Sequence, residues 1–216
     1  MKYVFLAAFI AFTAVHLYAS LKCNKLLRAV TKIFLLPMLL GWYLTSTNQP
    51  QSIVIAAVAT SWLGDVLLIG GPVGFAVGGT SFFISHLCFA AAYCIGLNFA
   101  LVPVWVMVLA PIVYLAAVVL VFRGLRGCIS NGLLVSMAGY LVINGAMNCF
   151  ALFRLIADPC LATVLTFIGA VSFFASDSIL FYVRFKKNGF FKTHFMVMLT
   201  YLLAEFLIVE GFLLAL

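Results

Sequence analysis

Apolar residues fill this chain in long runs, and its polar positions fall in short clusters between them. A helix that crosses a bilayer needs about 20 predominantly apolar residues. At that length the clusters divide the chain into eight apolar segments, at about 3–21, 29–46, 53–69, 75–97, 100–122, 129–153, 162–183 and 195–216. The separators carry charge or turn residues: KCNKLLR, TNQPQS, GGPVG, Asn98, RGLRG, RLIADPC and RFKKNGFFKTH. Connections this short make neighbouring helices antiparallel. The pattern predicts an all-α polytopic membrane protein of eight transmembrane helices. Residues 1–216 then form a single integral membrane domain, with no soluble unit and no low-complexity tail.

Composition agrees. Of the 216 residues 67% are hydrophobic and only 8% are Asp, Glu, Lys or Arg, where a soluble domain carries about 25% charge. Lipid, not water, is expected to cover most of the outside. The net charge of +7 does not call for nucleic acid, because the cations sit in connections, where they set topology and meet anionic headgroups. One side holds Lys22, Lys25, Arg28, Arg123, Arg126, Arg184, Lys186, Lys187 and Lys192, and the other only Lys2 and Arg154. By the positive-inside rule the first side is cytoplasmic and both termini are non-cytoplasmic. The first apolar run exceeds the 7–15 residues of a signal-peptide core, so it is read as a retained span. The six cysteines show no metal-type spacing and mostly lie in apolar runs, where Cys acts as a small hydrophobe.

Ionisable groups inside such segments carry the functional signal. An Asp near the centre of a spanning helix costs roughly 2.5–3.5 kcal/mol to insert and therefore faces the bundle interior. Asp65, Asp177, Lys32, His86, Glu205 and His16 stand out, with Glu210, Tyr140 and Tyr201 behind them. From the expected helix ends, Asp65 lies roughly 7 Å and Asp177 roughly 10 Å below the cytoplasmic face. Lys32 enters about one turn below the same face, and His86 and Glu205 lie near mid-membrane. Two acids and a cation in one leaflet imply a polar cavity open to the cytoplasm. Lys32 either joins that cavity or snorkels to the interface, and His86 either serves it or bonds helix to helix. His16 is read as structural, His194 as a loop residue and Glu210 as non-catalytic. Gly64 and Ser176, each just before an Asp, allow close helix approach. The segments around Asp65 and Asp177 echo each other four helices apart, as a 4+4 parallel repeat would.

These residues resemble the YhhN-like lysoplasmalogenase family of membrane hydrolases. The ordered series is Thr31-Lys32, then Gly64-Asp65-Val66-Leu67-Leu68. Phe75, Gly78, Phe82 and His86 follow at their spacing, then Ser176-Asp177 with Leu180, and Thr200-Tyr201-Leu202-Leu203-Ala204. The chain departs from the family pattern where Ile33, not proline, follows Lys32 (the proline is Pro37), at Glu205, where Gln is usual, and at Phe89, near which an aromatic hydroxyl is usual. The resemblance implies hydrolysis of the vinyl-ether bond of lysoplasmalogens to a fatty aldehyde and a glycerophospho-ethanolamine or -choline. It implies Asp65 and Asp177 as the catalytic pair, with Lys32, His86, Tyr140, Ser176, Tyr201 and Glu205 binding substrate or supporting them.

The chemistry suits the residue types. Protonating the β-carbon of a vinyl ether gives an oxocarbenium ion, to which water adds before the hemiacetal collapses. One carboxylic acid and one carboxylate serve this, as in glycosidases. Lys32 is expected to meet the phosphate, with the alkyl chain running towards His86. No cofactor or metal is expected, since only His86 is well placed for a zinc site, and no Gly-x-Ser-x-Gly nucleophile motif is present. Expected partners are a bilayer lysophospholipid and water, in a bacterial inner membrane with the site facing the cytoplasmic leaflet. A proton-coupled carrier is the rival reading of buried paired acids.

Overall fold

The computed structural model describes residues 2–186 and 194–215; Lys187 and Lys192 of the charge count lie outside them. Among the described residues eight α-helices follow in order: α1 Lys2–Leu21, α2 Lys25–Ser46, α3 Ser52–Leu67, α4 Gly71–Cys94, α5 Val104–Leu125, α6 Asn131–Ala157, α7 Leu161–Phe185 and α8 Phe195–Leu214. No strand occurs among the described residues. Seven stretches are long and apolar enough to cross a membrane, because Ser52–Cys94 counts as one stretch of 43 residues holding both α3 and α4. The protein is an integral, multi-pass membrane protein.

Local chemistry sets the helix ends. α2 starts four residues before the expected position because Asn24 caps it, its side chain accepting from the Leu27 N–H at 3.1 Å. α4 likewise starts at Gly71, not Phe75: Gly71 takes φ 77°, which turns the chain, and Pro72 supplies the fixed φ of a first helical turn. α5 starts after Pro103, and a short 3₁₀ turn, Phe99–Leu101, stands where its first residues were expected. At the far end of α4, Arg154 from α6 donates to the Tyr93 and Ile95 carbonyls, satisfying acceptors that the helix leaves free.

Sequence neighbours pack as antiparallel hairpins. In α1–α2, Tyr3 meets Trp42 at one end and His16 meets Thr31 at the other. In α3–α4, Ser81 donates to the Thr60 carbonyl and Ser85 to the Ala57 carbonyl, so the 43-residue stretch folds back on itself. Tyr114 meets Asn148 in α5–α6, and Ser176 meets Val197 in α7–α8. Large apolar side chains such as Leu26, Val73, Trp105, Leu120 and Val135 remain exposed on the outside, facing lipid. With α1, α3, α5 and α7 ending where α2, α4, α6 and α8 begin, one end of the bundle carries Lys22, Lys25, Arg28, Arg123, Arg126, Arg184 and Lys186. The other end has Lys2 and Arg154.

Close helix approach rests on glycine at a few contacts. At Gly211 an added Cβ would stand 2.6 Å from the Ala162 carbonyl oxygen and 3.0 Å from the Thr166 nitrogen, backbone atoms of α7 that cannot swing aside. At Gly79 nothing lies within 4 Å. Gly211→Ala should therefore destabilise the bundle by about 1–3 kcal/mol through overpacking. Gly79→Ala should change stability by about 1 kcal/mol or less in the stabilising direction, from helix propensity. Thermal unfolding in one detergent compares them.

Candidate active site

Six helices, α2, α3, α4, α6, α7 and α8, bring polar side chains together towards the cation-rich end. Asp65 sits two residues before the end of α3, Asp177 eight residues before the end of α7, and Lys32 seven residues into α2. At 1.5 Å per residue these offsets are roughly 3, 12 and 10 Å along the helices. Asp65 thus lies nearer its helix end than expected and Lys32 deeper, the latter because Asn24 starts α2 early. Both acids nonetheless line one cavity of about 310 Å³. Lys25, Arg28, Arg184 and His194 border it towards the helix ends, and Lys32, Tyr201 and Ser176 further in.

Asp65 is held from two helices. The Lys32 ammonium lies 2.9 Å from Oδ1, and the Tyr201 hydroxyl of α8 donates to Oδ2 at 2.9 Å. Asp65 is 1% exposed, so both contacts act where water competes little. Lys32 does not snorkel away from the bundle, nor does it stand free to meet a phosphate: its charge is engaged by Asp65. Removing either partner would leave the other as an uncompensated buried charge, the costly half of a buried pair.

Asp177 is held by a different set, all directed at Oδ2. The Tyr140 hydroxyl donates at 2.7 Å and the Asn144 amide at 2.8 Å, both from α6. His86 Nε2 of α4 lies 3.4 Å from the same oxygen. The other ring nitrogen, Nδ1, faces the Phe82 carbonyl, which can only accept, so it carries a hydrogen. Nε2 is left facing the Asp177 carboxyl, at charge-contact distance but without a formed hydrogen bond. His86 is fully buried, packed edge-on against Phe173 and Tyr140, with ring centroids 4.6 and 5.3 Å away. It lines neither of the two cavities in this half of the bundle, so it supports Asp177 from behind and offers no path for a chain.

Behind Asn144 the donors continue. Asn148 Nδ2 donates to Asn144 Oδ1 at 2.9 Å, and the Tyr114 hydroxyl of α5 donates to Asn148 Oδ1 at 3.1 Å. Every bond in this chain points its hydrogen towards Asp177. Tyr140, Asn144 and Asn148 are spaced by four residues on one face of α6. That stripe was the available signal for the two asparagines, which the sequence reading passed over.

The remaining expected site residues divide. Ser176 lines the cavity, but its hydroxyl donates to the Val197 carbonyl at 2.9 Å and ties α7 to α8. Glu205 is fully buried next to Ser61 and Tyr201, lines neither cavity, and neither carboxyl oxygen meets hydrogen-bond geometry with a described residue. His16 borders the cavity and bonds the Thr31 hydroxyl at 2.7 Å, a structural contact. Glu210 accepts from the Trp42 indole near the opposite end of the bundle, away from the aspartates. His194 is more than a connecting residue. It sits at the mouth of the cavity, where burial first and then Arg28, Lys32 and Arg184 push its imidazole down to about 4, so it is neutral at physiological pH. Among the described residues no group of three or more His, Cys, Asp or Glu could hold a metal ion.

No curated protein and no solved structure matches the chain. A model of the YhhN family matches it over residues 27–212. That span includes both aspartates and every group that holds them. The chain belongs to the YhhN family.

Proposed function

We propose that this protein hydrolyses the vinyl-ether bond of lysoplasmalogens by acid catalysis, with Asp65 and Asp177 as the working pair. The observation that carries the reading is that two aspartates from separate hairpins border one cavity with different partners: an ammonium beside Asp65, an imidazole beside Asp177. Family membership agrees with a hydrolase of this type. The cation bias makes the open end cytoplasmic, so the site works on the inner leaflet of what we take to be a bacterial plasma membrane.

The roles follow from the partners. The Asp177–His86 pair delivers its proton to the β-carbon of the vinyl ether, and the enol-ether π electrons form the new C–H bond. The adjacent carbon becomes an oxocarbenium ion, stabilised by the Asp65 carboxylate beside Lys32. Asp65 also orients a water whose oxygen bonds that carbon, and takes the proton it releases. Collapse of the hemiacetal breaks the bond to the glycerol oxygen. The hemiacetal hydroxyl loses its proton to the Asp177–His86 pair, restoring the acid, and the departing glycerol oxygen takes the proton held by Asp65. The products are a fatty aldehyde and a glycerophospho-alcohol, and one water is consumed. Tyr140 and Tyr201 fix the two carboxyl groups. Arg28 and Arg184, whose charges are not engaged by the aspartates, suit the phosphate, the part first expected of Lys32.

Purified protein in detergent should release aldehyde from a lysoplasmalogen and none from its saturated ether analogue. Asp65→Asn and Asp177→Asn should each lower turnover by about 10²–10⁴, the usual share of a general acid or base; the melting temperature should stay close to wild type for Asp177→Asn and fall for Asp65→Asn, which leaves Lys32 without its counter-charge, with the protein still folded. Full activity in both Asn variants would sink the mechanism; uptake into sealed vesicles without any product would favour the carrier.

Asn144→Ala removes one donor from Asp177 without touching the cavity lining. A hydrogen bond to a charged group contributes about 1.5–3 kcal/mol, so kcat should fall by about ten- to a hundredfold with KM little changed. Steady-state kinetics on the same lysoplasmalogen provides the check, and a change confined to KM would place Asn144 in substrate binding instead.

A further inference from the structure

A second cavity, about 470 Å³, lies between α4 and α6 and is backed by α7. Its walls are apolar apart from a few hydroxyls: Phe75, Gly79 and Phe83 on α4, Met137 and Tyr140 on α6, Phe181 on α7. It opens outward, because Ala76, Thr80 and Ser136 on its lining are themselves exposed on the lipid-facing surface. It lies along the first turns of α4 and α6, helices that both begin at the cationic end, so it occupies the same half of the bundle as the acids. Small residues keep it open: nothing lies within 4 Å of a Cβ built on Gly79.

This groove adjoins the polar cavity. Leu68, Phe75, Phe82 and Leu180 line both. Tyr140 forms part of the groove wall while its hydroxyl donates to Asp177 Oδ2. Side by side, the two spaces offer a cationic mouth at the helix ends, the aspartates on the wall of the first, and an apolar arm leading sideways to the outer surface. The direction towards mid-membrane is closed by the packed rings of His86, Phe173, Phe82 and Tyr201.

We propose that the α4–α6 groove holds the single hydrocarbon chain of a lysophospholipid, and that the substrate reaches the acids laterally from the surrounding leaflet through it. This rests on the hydrolase reading above for its substrate and extends it to the route and the binding of the chain. An anionic headgroup at Arg28 and Arg184 and one apolar tail in the groove bring the bond between them to the wall where Asp177 sits. The groove's volume is within the range of about 300–1,000 Å³ of small-molecule sites. One apolar arm accepts one chain, which selects lysolipids over two-chain phospholipids.

The test uses the full-length protein in lipid nanodiscs and a saturated-ether lysophospholipid carrying a diazirine in the middle of its chain. Irradiation followed by peptide mass spectrometry should place adducts on residues 75–83 of α4 and 133–140 of α6. Gly79→Phe and, from the other rim, Ser136→Trp should each cut that labelling about tenfold or more and raise KM for a long-chain lysoplasmalogen by a similar factor, while a short-chain substrate is handled as by wild type. Adducts confined to other helices, or labelling unchanged in both variants, would overturn the proposal. The probe is not cleaved, so the two readings separate. Groove labelling with no aldehyde from wild type supports the groove and overturns the hydrolase, whereas aldehyde release with labelling elsewhere does the reverse.

Discussion

Charge inside a hydrocarbon environment has to be balanced within the protein, and the polar interior of this bundle is arranged around that requirement. An unpaired carboxylate in a low-dielectric site costs far more than any single packing contact contributes. Asp65 meets the cost with an ammonium from α2 and a phenol from α8. Asp177 meets it with three groups from α4 and α6. Satisfying these two side chains ties together α2, α3, α4, α6, α7 and α8. The hairpins are therefore held in register by the same contacts that hold the two acids.

The two ends of the bundle differ accordingly. At the cationic end a cavity remains between the helices, bordered by Lys25, Arg28, Arg184 and a neutral His194. At the other end the polar groups are spent on closure: Arg154 caps α4, and Glu210 accepts from Trp42. A cavity at the cationic end with an apolar groove beside it suits the proposed enzyme, which takes an amphiphile from one leaflet. A carrier needs access to alternate between both faces.

Charged residues in apolar helices were legible because insertion cost makes them conspicuous in any hydropathy profile; Asp65, Asp177 and Lys32 stood out on that ground alone. Tyr140 and Tyr201 stood behind those charges as lesser candidates, and the structure joins each to its own aspartate. Asn144 and Asn148 were not legible in the same way, since an amide carries no charge and its importance depends on which helix faces it. The roles of Lys32 and His86 turned on partners in three dimensions: the lysine was expected at a phosphate and meets Asp65, and the histidine was expected along a lipid chain and stands behind Asp177. Helix starts shifted where a single capping residue, Asn24, or a glycine turn, Gly71, overrode the end of the apolar run. The α4–α6 groove left no mark in the sequence, because it is defined by what Gly79 and Ala76 do not fill.

Proton transfer to carbon by the aspartate pair is the central step of this account, and the isotope content of the product reads it directly. Hydrolysis of a lysoplasmalogen by the purified protein in D₂O, with the aldehyde reduced as it forms to prevent later exchange, should give an alcohol carrying one deuterium at carbon 2. Product formed without deuterium at that carbon would show that the β-carbon is never protonated from the site, and would contradict acid catalysis by Asp65 and Asp177.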